Sequence, residues 1–256
     1  MIRIPILLYH RVDQEAVKKR RPFCVHPDDF KQQMEWLKQQ GFQAISLNAF
    51  HRYYTQGEPV PAKPIIVTFD DGFYCNYSRV YPIMKELDYT ATIFLATDLM
   101  RSEGEKGFEA YDGFMNWNEI RKMQCDGFSF EAHGCSHQAL PTLSLEKAEH
   151  EIRESRKIIK KMLNTEVDFY CYPYGQANGE IHRIVEKCGY KGACGPTFYG
   201  EDGPHNWYSI GRAEILWGDS LNTFKFKVEH GLSRYYYAKQ QMGKVKRMVT
   251  GLKRTG

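Results

Sequence analysis

The sequence lacks most of the features that would assign it to a class at once. It contains no run of about 18 apolar residues, so no segment is expected to cross a membrane as a helix. Its opening, Met1-Ile2-Arg3-Ile4-Pro5-Ile6-Leu7-Leu8-Tyr9-His10, has an apolar core too short for a secretory leader. The seven cysteines are an odd set without a Cys-x-x-Cys pair, which argues against a disulfide framework or a zinc ribbon and for reduced thiols in the cytoplasm. No sign of charge dominates: a net charge of +4 is too small to imply nucleic acid unless it is concentrated. Internal repeats are absent too, and with 42% hydrophobic and 14% aromatic residues neither disorder nor a coiled coil is expected.

What is there fits one α/β domain of barrel size, which 256 residues are enough to build. The periodicity predicts strands over Ile4 to Tyr9, Ala44 to Leu47, Ile65 to Phe69, Thr90 to Ala96, Phe128 to Ala132, Val167 to Tyr172 and about Lys191 to Cys194. Helices are predicted between them: Pro27 to Gln40, Asn48 to Tyr54, Asn76 to Leu87, Asn118 to Gln124, Leu145 to Leu163 and Glu180 to Cys188. In the longest, Ala148, Ile152, Ile159 and Met162 recur on one face, with the lysines and glutamates expected outward. Asp13 to Arg21 reads as a loop, and Arg101 to Gly113 as a long loop able to overhang a site. This alternation is that of a parallel α/β barrel or open sheet, in which functional residues collect at the C-terminal strand ends.

Three strand ends carry chemistry. The apolar run Ile65-Ile66-Val67-Thr68-Phe69 closes in Asp70-Asp71-Gly72; adjacent carboxylates point in different directions, so one can bind a metal while the other accepts a proton. A plain turn closing the strand is the alternative. After the fifth predicted strand comes His133-Gly134-Cys135-Ser136-His137, two imidazoles able to share a metal if the chain turns at Gly134, or else two polar loop histidines. With one aspartate they would make a three-ligand site with positions left for water, the pattern of a catalytic centre. Cys135, between them, is expected to point away. The third end, Tyr170-Cys171-Tyr172-Pro173-Tyr174-Gly175, is either an aromatic core strand with a turn or a sugar-stacking wall with an amide donor.

In this order, TFDDG, HGCSH and YCYPYG resemble the first three motifs of the polysaccharide deacetylase family, the NodB-homology or carbohydrate esterase family 4 domain. Leu7-Leu8-Tyr9-His10-Arg11-Val12 is similar to the opening of its poly-N-acetylglucosamine deacetylase subgroup, and the resemblance runs from about Pro5 to Arg212. It implies a distorted (β/α)7-type barrel that hydrolyses an acetyl group, most often N-linked, from a sugar with a bound divalent metal. By the resemblance Asp70 is the general base, Asp71, His133 and His137 are the metal ligands, and the Tyr174 N–H is an oxyanion donor. The late histidine that serves most members as acid is not found; in the subgroup it lies on the first strand, where His10 stands. Cys171 occupies the place of an arginine that pairs with the base in many members, and Arg212, in Ile210-Gly211-Arg212-Ala213-Glu214-Ile215, is the candidate replacement. Zn2+ is the first choice of metal, with Ni2+, Co2+ and Fe2+ accepted by the same ligands.

The expected partner is an acetylated amino-sugar glycan or its lipid- or nucleotide-linked precursor, with no role for nucleic acid. Competing readings are a metal-dependent amidase or esterase for a non-sugar acyl group, and a catalytically silent glycan-binding module. The catalytic domain is expected over residues 1–218 and a helical basic tail over 219–256. From Lys239 to Arg254 all charges are basic, and Ala238, Met242, Val245, Val249 and Leu252 recur at helical spacing, either a solvated tail or a contact with the anionic inner face of the membrane.

Overall fold

The computed structural model describes residues 2–14, 21–103, 113–195 and 206–230. Its strands are β1 (Ile6–Tyr9), β2 (Arg11–Val12), β3 (Cys24–Val25), β4 (Gln43–Ala44), β5 (Pro64–Phe69), β6 (Thr92–Leu95), β7 (Ser129–Ala132), β8 (Phe169–Cys171), β9 (Gly192–Cys194) and β10 (Ala213–Glu214). The α-helices are α1 (Pro27–Gln39), α2 (Leu47–Gln56), α3 (Tyr81–Glu86), α4 (Trp117–Cys125), α5 (Leu145–Leu163), α6 (Gly179–Lys187) and α7 (Leu221–His230).

The main sheet runs β10-β1-β5-β6-β7-β8-β9, with β4 beside β5, and its strand pairings are parallel. It curls until its two edges meet on one segment. Ile210 bridges Cys194 of β9, while Ala213 and Glu214 pair with Leu7 and Leu8 of β1, so residues 210–214 close the curled sheet as the expected distorted barrel. Most expected strands come out shorter: the first begins at Ile6 after Pro5, which has no N–H to give, Thr90 to Ala96 and Val167 to Tyr172 contract to β6 and β8, and the strand expected over Ala44 to Leu47 ends at Ala44 because Ser46 caps α2, which begins at Leu47.

Alternation along each strand sorts the core into two faces. Leu7 and Tyr9, Ile65, Val67 and Phe69, Phe130 and Ala132, and Tyr170 and Tyr172 pack under the helices, against Phe30, Met34, Ile120, Ile152 and Ile181. Ile6, Ile66, Phe169, Cys171, Cys194 and Ile210 point the other way, into the barrel, where Leu47 and Phe50 of α2 plug one end.

The helices begin as the sequence leads one to expect. Ser46, Asn116, Ser144 and Asn178 cap α2, α4, α5 and α6 through their side chains, and Asn116 and Glu119 form a reciprocal capping box. The helix expected from Asn76 to Leu87 differs: residues Asn76–Val80 wind as a π-helical turn before α3. Pro82 explains the break, because it has no N–H to continue the ladder. Buried Asn76 donates its side-chain amide to the His10 carbonyl, 3.2 Å away, tying this turn to the end of β1.

Of the long loop read as overhanging a site, residues 104–112 lie outside the described residues, as do 15–20 of the first loop and 231–256 of the tail. The described part of that expected tail, from residue 219 to 230, holds a packed helix: α7 buries Phe224 and Val228 in the helix-side core, and fully buried Lys227 donates to Asp219 at 2.5 Å and to the Glu214 carbonyl at 2.8 Å.

Candidate active site

The sorting that builds the core also builds the site. Extending the inward parity of each strand by one step past its apolar residues gives Ile6-Leu8-His10, Ile66-Thr68-Asp70, Glu131-His133 and Ile210-Arg212-Glu214. The register puts β1 and β5 level, Tyr9 opposite Phe69, so His10 and Asp70 emerge side by side at the C-terminal mouth. All seven residues singled out in the sequence, His10, Asp70, Asp71, His133, His137, Tyr174 and Arg212, line one cavity of about 650 Å3 at that mouth.

Asp71, His133 and His137 turn their polar atoms onto a common point. One carboxylate oxygen of Asp71 lies 3.3 Å from Nε2 of His133 and 3.1 Å from Nε2 of His137. Yet this oxygen is buried and accepts no well-directed hydrogen bond: the ring nitrogens face it without aiming at it. Three donor atoms that crowd together without bonding each other are what a cation would bridge, and the residues fit one. The tautomer agrees. Nδ1 of His133 lies 2.8 Å from the Cys171 carbonyl, which can only accept, so Nδ1 carries a proton and Nε2 is the nitrogen presented to the cavity. Burial opposes ionisation of Asp71, but the two imidazoles hold its carboxyl far below the usual range. Cys135 is not in this cluster; its thiol donates to the Glu151 carbonyl, 3.6 Å away.

Backbone strain gathers at the same place. Among the described residues five non-glycine positions have positive φ, and three of them are Asp71 (74°), His137 (59°) and Tyr174 (59°).

Asp70, 3% exposed, is gripped by Arg212, 4% exposed, through two parallel bonds of 2.7 and 2.8 Å. Arg212 starts deeper in the barrel than Asp70. Its Nη1 also donates to Thr68 Oγ1 at 3.1 Å, and its Nη2 lies 3.0 Å from Cys171 Sγ. The Cys171 thiol in turn sits 3.3 Å from the second Asp70 oxygen, and burial pushes that thiol up, keeping it a protonated donor. Burial alone would raise the Asp70 carboxyl as well; the guanidinium overrides it and holds the acid below its usual value. A small thiol at position 171 thus leaves room for an arginine that arrives from the closing segment.

The remaining walls are aromatic. His10 has a buried Nδ1 with no hydrogen-bond partner among the described residues, and its ring lies 5.2 Å from that of Phe23. Tyr174, 66% exposed, stands 4.7 Å from the His137 ring on the other side. Phe73 and Phe114, stacked at 5.0 Å, also line the cavity.

Three residues near the site escaped the sequence reading. Glu214 lines the cavity two residues beyond Arg212, and its inward parity was the available signal. Phe23 lay hidden beside a charged loop. Glu151 was assigned with the other glutamates to the outer face of its helix, and the structure corrects this: it accepts hydrogen bonds from Cys135 and Ser136 in the His133–His137 loop. The signal was its place three residues after Ala148, at the edge of the buried stripe.

Comparison with known proteins agrees with this geometry. The family model for polysaccharide deacetylase matches residues 57–193. The Bacillus subtilis protein YxkH is 26% identical over 227 residues, which cover 89% of this chain and 76% of that protein. The poly-beta-1,6-N-acetyl-D-glucosamine N-deacetylase of Escherichia coli is 26% identical over 217 residues, covering 71% of this chain but only 32% of that enzyme. Among solved structures, the Streptococcus pyogenes deacetylase PplD in complex with acetate superposes with a TM-score of 0.78 at 26% identity, covering 89% of this chain and 99% of that one.

Proposed function

The chain belongs to the polysaccharide deacetylase family and is a carbohydrate deacetylase, a hydrolase; from this premise we propose that it removes the acetyl group of an N-acetylhexosamine in a glycan or glycan precursor, using a divalent cation. The observation that carries the proposal is the pairing of two groups in one cavity: a trio of converging ligand atoms and, beside it, a carboxylate kept ionised by a bidentate arginine.

Asp71, His133 and His137 would hold the cation, with Zn2+ the proposed ion. When bound, it supplies Lewis-acid polarisation of the acetyl carbonyl and a more acidic water. Asp70 takes the proton of the attacking water, whose oxygen bonds to the acyl carbon. The Tyr174 N–H donates to the oxygen on which charge develops. His10, at the same mouth, gives a proton to the nitrogen as the C–N bond breaks, and acetate and a free amine leave. Aromatic rings at Phe23 and Tyr174 offer faces on which sugar rings can stack. The cysteine usage supports the cytoplasm as the proposed compartment, with the basic tail either solvated or resting on anionic lipid; full-length protein that fails to sediment with anionic vesicles would remove the lipid contact. Among the described residues no helix is long and apolar enough to cross a membrane.

The decisive test measures metal content and acetate release together, on N-acetylglucosamine oligomers. Wild type should carry about one metal and release acetate; Asp70→Asn should keep the metal and lose turnover by 10²-fold or more, about the share of a general base; His133→Ala should lose both. Metal binding without turnover of acetylated sugars, but with turnover of small acetamides, would replace the glycan by another acyl substrate.

A further inference from the structure

The loop that carries both histidines is held from two sides. On one side its carbonyls are taken: Thr97 donates its N–H to Gly134 at 3.1 Å and Asp98 donates to Cys135 at 3.0 Å. On the other side a single carboxylate takes its donors. Oε2 of Glu151, reaching across from α5, accepts the N–H of Cys135 at 2.7 Å and of Ser136 at 2.9 Å, and Oε1 accepts the Ser136 hydroxyl at 2.6 Å. Successive backbone N–H groups converging on one oxygen form a nest, and here its anion comes from the protein itself. The fit is close: a Cβ added at Gly134, where φ is +79°, would stand 3.2 Å from Glu151 Oε2.

The next residue is His137, whose φ of 59° a non-glycine residue keeps only where its surroundings impose it. Glu151 bonds to the two residues immediately before it. If those N–H groups lost their acceptor they would turn toward water, the loop would relax, and the His137 ring would leave the point it shares with Asp71 and His133. Glu151 is not a ligand in the cluster itself. Its influence runs through the backbone.

We propose, resting on the metal centre read above, that Glu151 is the positioning residue of that centre, and that it works by the reach of its hydrogen bonds rather than by its charge. The two can be separated. Asp keeps the charge but is one methylene too short to reach both N–H groups and the hydroxyl. Gln keeps the reach: its carbonyl oxygen can accept both N–H groups while its amide donates to the Ser136 hydroxyl oxygen.

The test is Zn2+ affinity of the metal-free full chain, by competition with a chromogenic chelator, with far-UV circular dichroism recorded for each variant. Glu151→Asp should weaken Zn2+ binding tenfold to a hundredfold, the usual effect of losing a group that orients a ligand. Glu151→Gln should stay within about threefold of wild type, the smaller loss expected when the orienting hydrogen bonds survive. Glu154→Ala, on the same helix, should change nothing. Wild-type affinity in Glu151→Asp overturns the proposal, and so does a loss in Glu151→Gln as large as in Glu151→Asp, because then charge is what matters. If Glu151→Ala does not fold, the Asp and Gln variants decide alone. A wild type that binds no Zn2+ refutes the metal centre, and this role with it; a wild type that binds beside an unaffected Glu151→Asp refutes only the role of Glu151.

Discussion

A guanidinium and a carboxylate that meet inside a barrel keep each other charged. Arg212 and Asp70 are both almost wholly buried, so removing one strands the other in a poor medium for ions. Arg212→Met should therefore cost about 3–5 kcal/mol in urea unfolding at pH 7. In an Asp70→Asn background the same change should cost much less, since no stranded charge remains; equal costs in the two backgrounds would show that the pair is not energetically coupled. At this scale much was readable in the sequence. Asp70, Asp71, His133 and His137 stand in two short motifs, each open to a plain loop reading by itself, and it is their order together with YCYPYG that resembles the family's site. Arg212 enters through the same resemblance, as the candidate for the arginine whose place Cys171 takes, and in the structure it shares the parity of Ile210, an inward apolar residue. Glu151 was barely legible, because its partners are a turn 15 and 16 residues earlier and its one local mark is its place three residues after Ala148, at the edge of the buried stripe.

Among the elements, the most consequential is one of the shortest strands. β10 has two residues, yet it seats Glu214, and Arg212 just before it, in the cavity lining. Burial pushes the Glu214 carboxyl above its usual value, with His10 and Arg212 pulling it partly back. The sign follows directly: where the folded chain holds a proton that the unfolded chain has released, stability falls as pH rises. That window opens near the ordinary glutamate value of about 4.3 and closes at the raised one. Glu214→Gln has no such proton to lose, so its stability relative to wild type should improve between pH 4 and pH 7. Parallel stability curves across that range would contradict the assignment. Strand and helix identities followed from periodicity because most elements are long enough to show it. β2 and β3 are two residues each and could not show it, and the π-helical turn reflects how one proline breaks a ladder, which a pattern of apolar residues does not record.

On the scale of the whole molecule, the site draws on the chain from His10 to Arg212, whereas the family match covers only residues 57–193. The matched stretch holds Asp70, Asp71, His133, His137 and Tyr174, and the flanks bring His10 and Arg212. A cation held by three of these residues binds the folded chain alone and must stabilise it, by about 2.7 kcal/mol when free metal is a hundredfold above its dissociation constant. Stripping the metal with a chelator should lower the Tm, readdition should restore it, and Asp71→Asn should make the Tm indifferent to both. An unchanged Tm on stripping wild-type protein that had carried metal would exclude that coupling.

The closing segment carries one more consequence, for how the protein comes into being. Residues 210–214 join β9 to β1, and β1 is made before every other strand of the sheet. A contact between Leu7 and Ala213 spans almost the entire sequence, and contacts of such separation form late because a long loop must be closed to make them. Until that happens Asp70 has no guanidinium beside it, although Asp71, His133 and His137 have already been made. The buried carboxylate thus receives its counter-charge late, and the proposed base is complete only when β10 is seated.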